Sequence, residues 1–231
     1  MGALGILSGG AAQGLVAGFA PAFRTETGLE ITGEYGAVGG MADKLRNGAH
    51  ADIIILTAAL VARLADEGLV DPASIADLGV VETALAVRSG DPKVSVENAS
   101  DLRRVLVAAD AIFAPDMKIS TAGIHVAKML QQLGIADQVA GRLKIYPNGA
   151  TAMRELAASQ TRRPIGCTQS TEIIATKGVE LSGALPGGCE LATMYTAAVT
   201  TGAANATAAK ALIGLLTSKD AGEARRRAGF L

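Results

Sequence analysis

Apolar runs alternate with segments of helical period along the whole chain. "LGILS" (4–8) reads as a strand, and 10–28 reads as a helix. In that helix Leu15, Phe19 and Phe23 recur four apart, on one face. Gly28 follows as a natural stop. The segment 29–36 alternates like a strand, and 39–48 has the pattern of a short helix ending in glycine. "ADIIIL" (51–56) is apolar throughout, as in a strand buried on both faces. A helix over 57–68 is again closed by glycine. Further strands are expected at 82–90, 111–116, 143–148, within 162–170, at 179–186 and at 190–200. Helices are expected at 98–108, with Ser100 as N-cap, from 120 onward, and at 149–159, 206–218 and 221–229. This alternation predicts an α/β fold with a largely parallel sheet. There is no internal repeat, heptad or low-complexity tail.

One kind of junction recurs. Strands run into Gly, Ser or Thr, and a helix follows. It happens at "LSGGAAQ" (7–13), "YGAVGGM" (35–41), "ILTAAL" (55–60), "KISTAGI" (118–124) and "CTQSTEI" (167–173). A helix start presents unpaired N–H groups and the positive end of the helix dipole. Small residues let a ligand approach the backbone. Several such ends at the carboxyl edge of a sheet would make an anion site without formal charge. Each junction taken alone reads first as an ordinary turn with a favoured cap, and it is the repetition that points to a site.

Composition narrows the picture. The chain has 231 residues, enough for one large domain or two lobes. It is 49% apolar with only 3% aromatics and no Trp, so Ala, Val, Leu and Ile must fill the core. The formal net charge of −1 and the lack of a basic face argue against a nucleic-acid partner. Cys167 and Cys189 have no metal-ligand spacing, and the sequence leaves open whether they pair. No apolar stretch is long enough to span a membrane. No metal or organic cofactor is implied.

The stretch "FRTETGLEITGEYGAVGGMADKLRNGAHADIIIL" resembles the first lobe of type II bacterial solute-binding proteins, especially the molybdate-binding group. The resemblance rests on Thr27-Gly28, Tyr35-Gly36, Gly39-Gly40, Gly48 and Ala51-Asp52. "STAGIHVAKMLQQLGI" is similar to the start of that family's second-lobe ligand helix, and "IGCTQSTEI" falls at its last ligand-contacting loop. The likeness covers essentially the whole chain. It implies the two-lobed type II periplasmic-binding-protein fold, each lobe a mostly parallel sheet flanked by helices, with two crossover strands. The lobes would be 1–83 plus 194–231, and 84–193, with the ligand cleft between them and hinge closure as the central motion. The implied function is that of the substrate-binding component of an ABC-type transporter, monomeric, delivering a small anion to a permease. Such a protein would be periplasmic if a signal peptide had been removed, and cytoplasmic otherwise.

Carried onto this chain, the resemblance implies ligand contacts from Ser8, Gly9 and Gly10, from Val38, Gly39 and Gly40, and from Thr57. In the second lobe it implies Lys118, Ser120 and Thr121, then Gln169, Ser170 and Thr171. The chain departs from the molybdate group in two places. The turn Gly36-Ala37-Val38-Gly39 lacks the expected hydroxyl, and the last loop has Gln169 instead of the usual Tyr-containing version. Gln169 brings both donors and an acceptor. This suits a larger ligand of mixed polarity, such as a di- or tricarboxylate.

A branch with the same resemblance is aconitate-isomerase-like, which opens a second reading: an isomerase of a small polycarboxylate. Such chemistry needs a base, a returning acid and N–H donors for the charged intermediate. His125, one turn inside the helix that starts at Ser120, is the candidate base. Its alternative is a surface histidine with a satisfied nitrogen. Glu172 sits in another first turn, where it could simply favour the helix dipole. Arg88 could grip a ligand carboxylate bidentately. Tyr35 and Tyr195 could donate hydroxyls or pack in the core. His50 is given no role.

Overall fold

The computed structural model describes residues 2–231. Met1, with which the expected first lobe begins, lies outside them. The chain forms two compact units. One runs to Val81 and resumes over Thr193–Leu231; the other is Glu82–Ala192. The chain thus passes between them twice.

In chain order, the first unit opens with β1 (Ala3–Gly9), a single 3-10 turn (Gly10–Ala12) and α1 (Gln13–Thr27). Gly28 ends α1 in the left-handed region, at φ 73°. β2 (Glu30–Gly36), α2 (Val38–Arg46), β3 (Ile53–Thr57) and α3 (Ala58–Asp66) follow. β4 (Ala76–Arg88) carries the chain into the second unit. There α4 (Ala99–Ala108), β5 (Ala111–Pro115), α5 (Thr121–Gln132) and the four-residue α6 (Ala136–Val139) precede β6 (Leu143–Tyr146). Next come α7 (Gly149–Ala158), β7 (Pro164–Gln169), α8 (Ser170–Ala175) and β8 (Val179–Ala184). β9 (Ala192–Val199), α9 (Ala206–Thr217) and α10 (Gly222–Arg227) return to the first unit.

The first unit's strands run in the order β2-β1-β3-β9. β1 is parallel to β2 and β3, and β9 is antiparallel to β3. β3 is buried along Ile53–Leu56, which explains its unbroken apolar run. Leu15 and Phe23 of α1 are buried in this core, and Phe19 packs at its edge. Asp52, just before β3, ties three segments together. It accepts from the Gly5 amide at 2.8 Å, the Asn205 amide at 2.8 Å and the Asn205 side chain at 3.3 Å.

In the second unit β7 lies between β4 and β5, with β6 beyond β5. β5, β6 and β7 are mutually parallel; β4 is antiparallel to β7 and to β8. Two apolar clusters form its core, one including Leu102, Leu106, Val126 and Met129, the other Phe113, Met153 and Leu156. Cys167 and Cys189 are both buried free thiols.

Two expectations change. The helix at 98–108 is capped by Asn98, not Ser100: the Asn98 side chain accepts from the Asp101 amide at 3.0 Å. Asn98 has the extended backbone that a cap needs, whereas Ser100 already lies inside the helix. The strand expected at 82–90 begins earlier, at Ala76. Its early part is held by Leu231, which exchanges backbone hydrogen bonds with Val80 in both directions, at 3.0 and 2.8 Å.

Candidate functional site

In the first unit the register sets Ser8 level with Tyr35 on one side and Ile55 on the other. β1, β2 and β3 therefore end side by side, at Gly9, Gly36 and Thr57. The turn Gly10–Ala12, α2 and α3 start from that one edge. Their flanking residues Gly9, Ala37 and Thr57 are extended and give no side-chain cap. Ala37 has no group that could cap. None of these first turns contains an acidic residue. The first turn of α2, with Val38, Gly39 and Gly40, thus keeps uncapped N–H donors.

The hydroxyl of Ser8 is fully buried and donates to the Gly9 carbonyl at 2.8 Å, so its proton is already committed. Gly9 is required by its own neighbours. A Cβ there would lie 2.7 Å from Val38 Cγ1 and 3.0 Å from Tyr195 Cε1. At Gly40 a Cβ would meet nothing within 4 Å. Tyr195 is buried and sits edge-on to Phe230 at 6.4 Å between ring centroids. Tyr35 is half-buried against the core, and burial raises its phenol pKa. His50 is exposed.

In the second unit Asp116 shapes the approach to α5. Its carboxylate accepts from the amides of Lys118 and Ile119 at 2.7 and 3.1 Å. Ser120 occupies the N-cap position, with extended backbone, yet its side chain makes no capping bond. Ser120 is buried and Thr121 is half-buried. The Lys118 side chain is exposed. Gly123 is a packing requirement: a Cβ would fall 2.0 Å from the Asp116 carbonyl oxygen. His125 is half-buried, and its Nε2 lies 2.8 Å from the Cys189 carbonyl oxygen. A carbonyl only accepts, so Nε2 carries a proton and Nδ1 is the nitrogen left to take one.

Gln169 ends β7 and is 3% exposed, yet neither its amide oxygen nor its amide nitrogen has a partner. The Thr171 hydroxyl, also 3% exposed, is unpartnered too. Thr83 of β4 is directly paired with Gln169, and its buried hydroxyl is likewise unmatched. Thr83 was not among the expected residues; its only sequence trace is one hydroxyl in the apolar run "TALAV". Ser170 is buried beside them in sequence.

Other helix ends in this unit are closed from within. Asn148 caps α7 through the Thr151 amide at 2.8 Å. The buried Glu172 carboxylate takes the Thr168 hydroxyl at 2.6 Å and the amides of Gly149, Ala150 and Gln169. Burial still pushes its pKa up, outweighing these donors. Arg88 is spent as well. Its guanidinium pairs with Asp91 at 2.8 Å and donates to the Ser159 carbonyl, so it is not open to a ligand.

Among the described residues no three His, Cys, Asp or Glu side chains form a group that could hold a metal ion. No helix among them is long and apolar enough to cross a membrane.

The fold, with helices springing from the carboxyl ends of mixed α/β sheets, is that of the periplasmic binding proteins. The chain belongs to the bacterial extracellular solute-binding protein family, whose model matches residues 4–231. Over 238 residues it is 28% identical to an aconitate isomerase from a Pseudomonas species, covering 98% of this chain and 87% of that one. It is 26% identical to the molybdate-binding protein ModA of Escherichia coli (strain K12), over 90% of this chain and 80% of that one. The Azotobacter vinelandii periplasmic molybdate-binding protein has the same fold, with a TM-score of 0.81 at 18% identity, covering 99% of this chain and 98% of that one.

Proposed function

We propose that this chain binds a small carboxylate anion as the substrate-binding component of an ABC-type transporter, working in the periplasm and handing its solute to a permease. One observation carries the reading. The first turns of α2 and α3 rise from the one edge where β1, β2 and β3 end, and like that of α5 they have neither a side-chain cap nor an acidic residue. An uncapped first turn is suited to an anion. The relatives support the class: one is a molybdate-binding protein and another an aconitate isomerase. The turn Gly36–Gly40 lacks the hydroxyl expected of the molybdate-binding group, and one donor fewer favours a larger carboxylate over a small tetrahedral oxyanion held in a tight shell of donors.

The test is a calorimetric and thermal-shift series with molybdate, sulfate, citrate and both aconitates. A carboxylate should raise Tm by several degrees and bind at micromolar Kd or below. Proline at the first helical position deletes an N–H while keeping the helix. Val38→Pro should therefore weaken binding at least ~10-fold, the worth of a charge-assisted hydrogen bond. Ala99→Pro, at the capped start of α4, should leave it unchanged. Failure of every anion to bind overturns the reading.

The 28% identity to an aconitate isomerase favours a second reading, an isomerase of a small polycarboxylate. His125 Nδ1 is then the base. Incubation with trans-aconitate should yield the cis isomer, and His125→Ala should abolish it. Unchanged turnover removes His125 from the chemistry.

A further inference from the structure

Thr83 and Gln169 face each other across the antiparallel pair β4–β7, so their side chains leave the same face of the sheet. They are 1% and 3% exposed. Between them they hold a hydroxyl and a primary amide, and neither amide atom nor the hydroxyl is hydrogen-bonded. Thr171, two residues beyond Gln169, adds another buried, unmatched hydroxyl. Buried polar groups are nearly always paired, so two orphaned side chains side by side on one face, with a third close in sequence, mark a place meant for an outside partner.

The chemistry of the orphans says which partner. Gln169 Nε2 needs an acceptor and Gln169 Oε1 needs a donor. A fully deprotonated oxyanion, or a plain carboxylate, is acceptor-only. It would satisfy the nitrogen and strand the oxygen in a dry site. A ligand ammonium would supply a donor but would want a counter-charge. The nearby carboxylate in sequence, Glu172, already takes the Thr168 hydroxyl and three backbone amides. A neutral hydroxyl beside a carboxylate meets both needs.

We propose that Gln169 and Thr83 form a hydroxyl-reading subsite, and that the ligand is a small hydroxycarboxylate. The ligand hydroxyl donates a hydrogen bond to Gln169 Oε1, Gln169 Nε2 donates to a carboxylate oxygen, and Thr83 completes the hydroxyl's bonding. The proposal rests on the small-anion reading above and sharpens it to one chemical class. It makes Gln169 the residue that sets specificity, because a site built to bond a hydroxyl rejects the analogue that lacks it.

Two ligand pairs differ by a single hydroxyl: malate against succinate, and citrate against tricarballylate. Calorimetry on the intact chain should show the hydroxylated member of at least one pair binding 10-fold or more tightly. Gln169→Met keeps the side chain's length but removes both polar atoms. It should weaken the hydroxylated ligand and bring the pair to within about 3-fold. Thr83→Val should halve the preference or more, and carries the test if Gln169→Met fails to fold by circular dichroism. Equal affinities within both pairs overturn the proposal, as does a preference that survives both substitutions. Binding of molybdate or sulfate with no carboxylate bound overturns it together with the carboxylate preference, but leaves the role as a small-anion-binding component standing; binding of carboxylates without a hydroxyl preference overturns it alone. Binding of no anion at all removes both.

Discussion

The Thr168 hydroxyl donates to the Glu172 carboxylate at 2.6 Å, inside the second unit, where Glu172 is only 6% exposed. The same carboxylate gathers the first amides of α7. A position that could hold an outside anion is thus filled by the chain's own. Burial raises this carboxyl's pKa above its ordinary 4.5. The native state then holds the proton more tightly than the unfolded chain does. That contribution to stability is complete below the unfolded value of 4.5 and is lost as pH rises through the higher native value. Glu172→Gln removes the titration. The Tm of the wild type minus that of Glu172→Gln should fall as pH rises above 4.5, and a constant difference would contradict the direction.

Asp52 runs the other way. Burial pushes its carboxyl up, but the donors from Gly5, Asn205 and Ala204 outweigh burial and hold it below the usual 3.8. Its stabilisation is present above 3.8 and is lost as pH falls through the lower native value. Asp52→Ala strands the amides of Gly5 and Asn205. It should cost about 2–4 kcal/mol at pH 7, measured by urea unfolding, and the cost should shrink in acid.

Two glycines should respond oppositely to the same substitution. Gly123→Ala drives a Cβ to 2.0 Å from the Asp116 carbonyl oxygen, which is backbone and cannot swing aside. It should destabilise by about 3 kcal/mol and disturb the start of α5. Gly40→Ala meets nothing within 4 Å and lies in a helix, so it should keep or slightly raise Tm. Any loss of ligand affinity in Gly40→Ala then reports on the site and not on folding.

The thiols should be inert. Burial pushes the Cys167 pKa up to about 12, and Cys189 is raised by burial and by Glu190. Neither is paired. Reductant should leave Tm unchanged. Native protein at pH 8 should leave Cys167 unlabelled by iodoacetamide over hours, and denaturant should expose both thiols.

The strand-to-helix rhythm was readable because burial on both faces leaves an unmistakable apolar run, as in Ile53–Leu56, and because glycine marks where α1 must stop. Local chemistry is less legible in the sequence. Asn98 and Ser100 are both acceptable caps, and only backbone geometry distinguishes them. The opening of β4 was hidden because Asp77 and Gly79 interrupt its pattern. That stretch is held by distant residues: Leu231 pairs with Val80, and the Thr196 hydroxyl donates to Asp77 at 2.6 Å. The candidate site divides similarly. Junctions rich in Gly, Ser and Thr could be found from composition. Which helix ends are closed from within could not, because the closing groups arrive from elsewhere in the chain. Gly149 is met by Glu172, and His125 by the carbonyl of Cys189. Thr83 became visible only once its register with Gln169 was known.

The return of the chain to its first unit orders events during synthesis. Glu82–Ala192 is continuous, so its sheet can assemble as soon as that stretch has left the ribosome. The first unit must wait. β3 finds β9 only when Thr193–Val199 has been made, and Asp52 finds Asn205 later still. Until then Ile53–Leu56 has no strand along one edge, and the nascent chain carries an unpaired apolar strand edge of the kind that invites wrong partners.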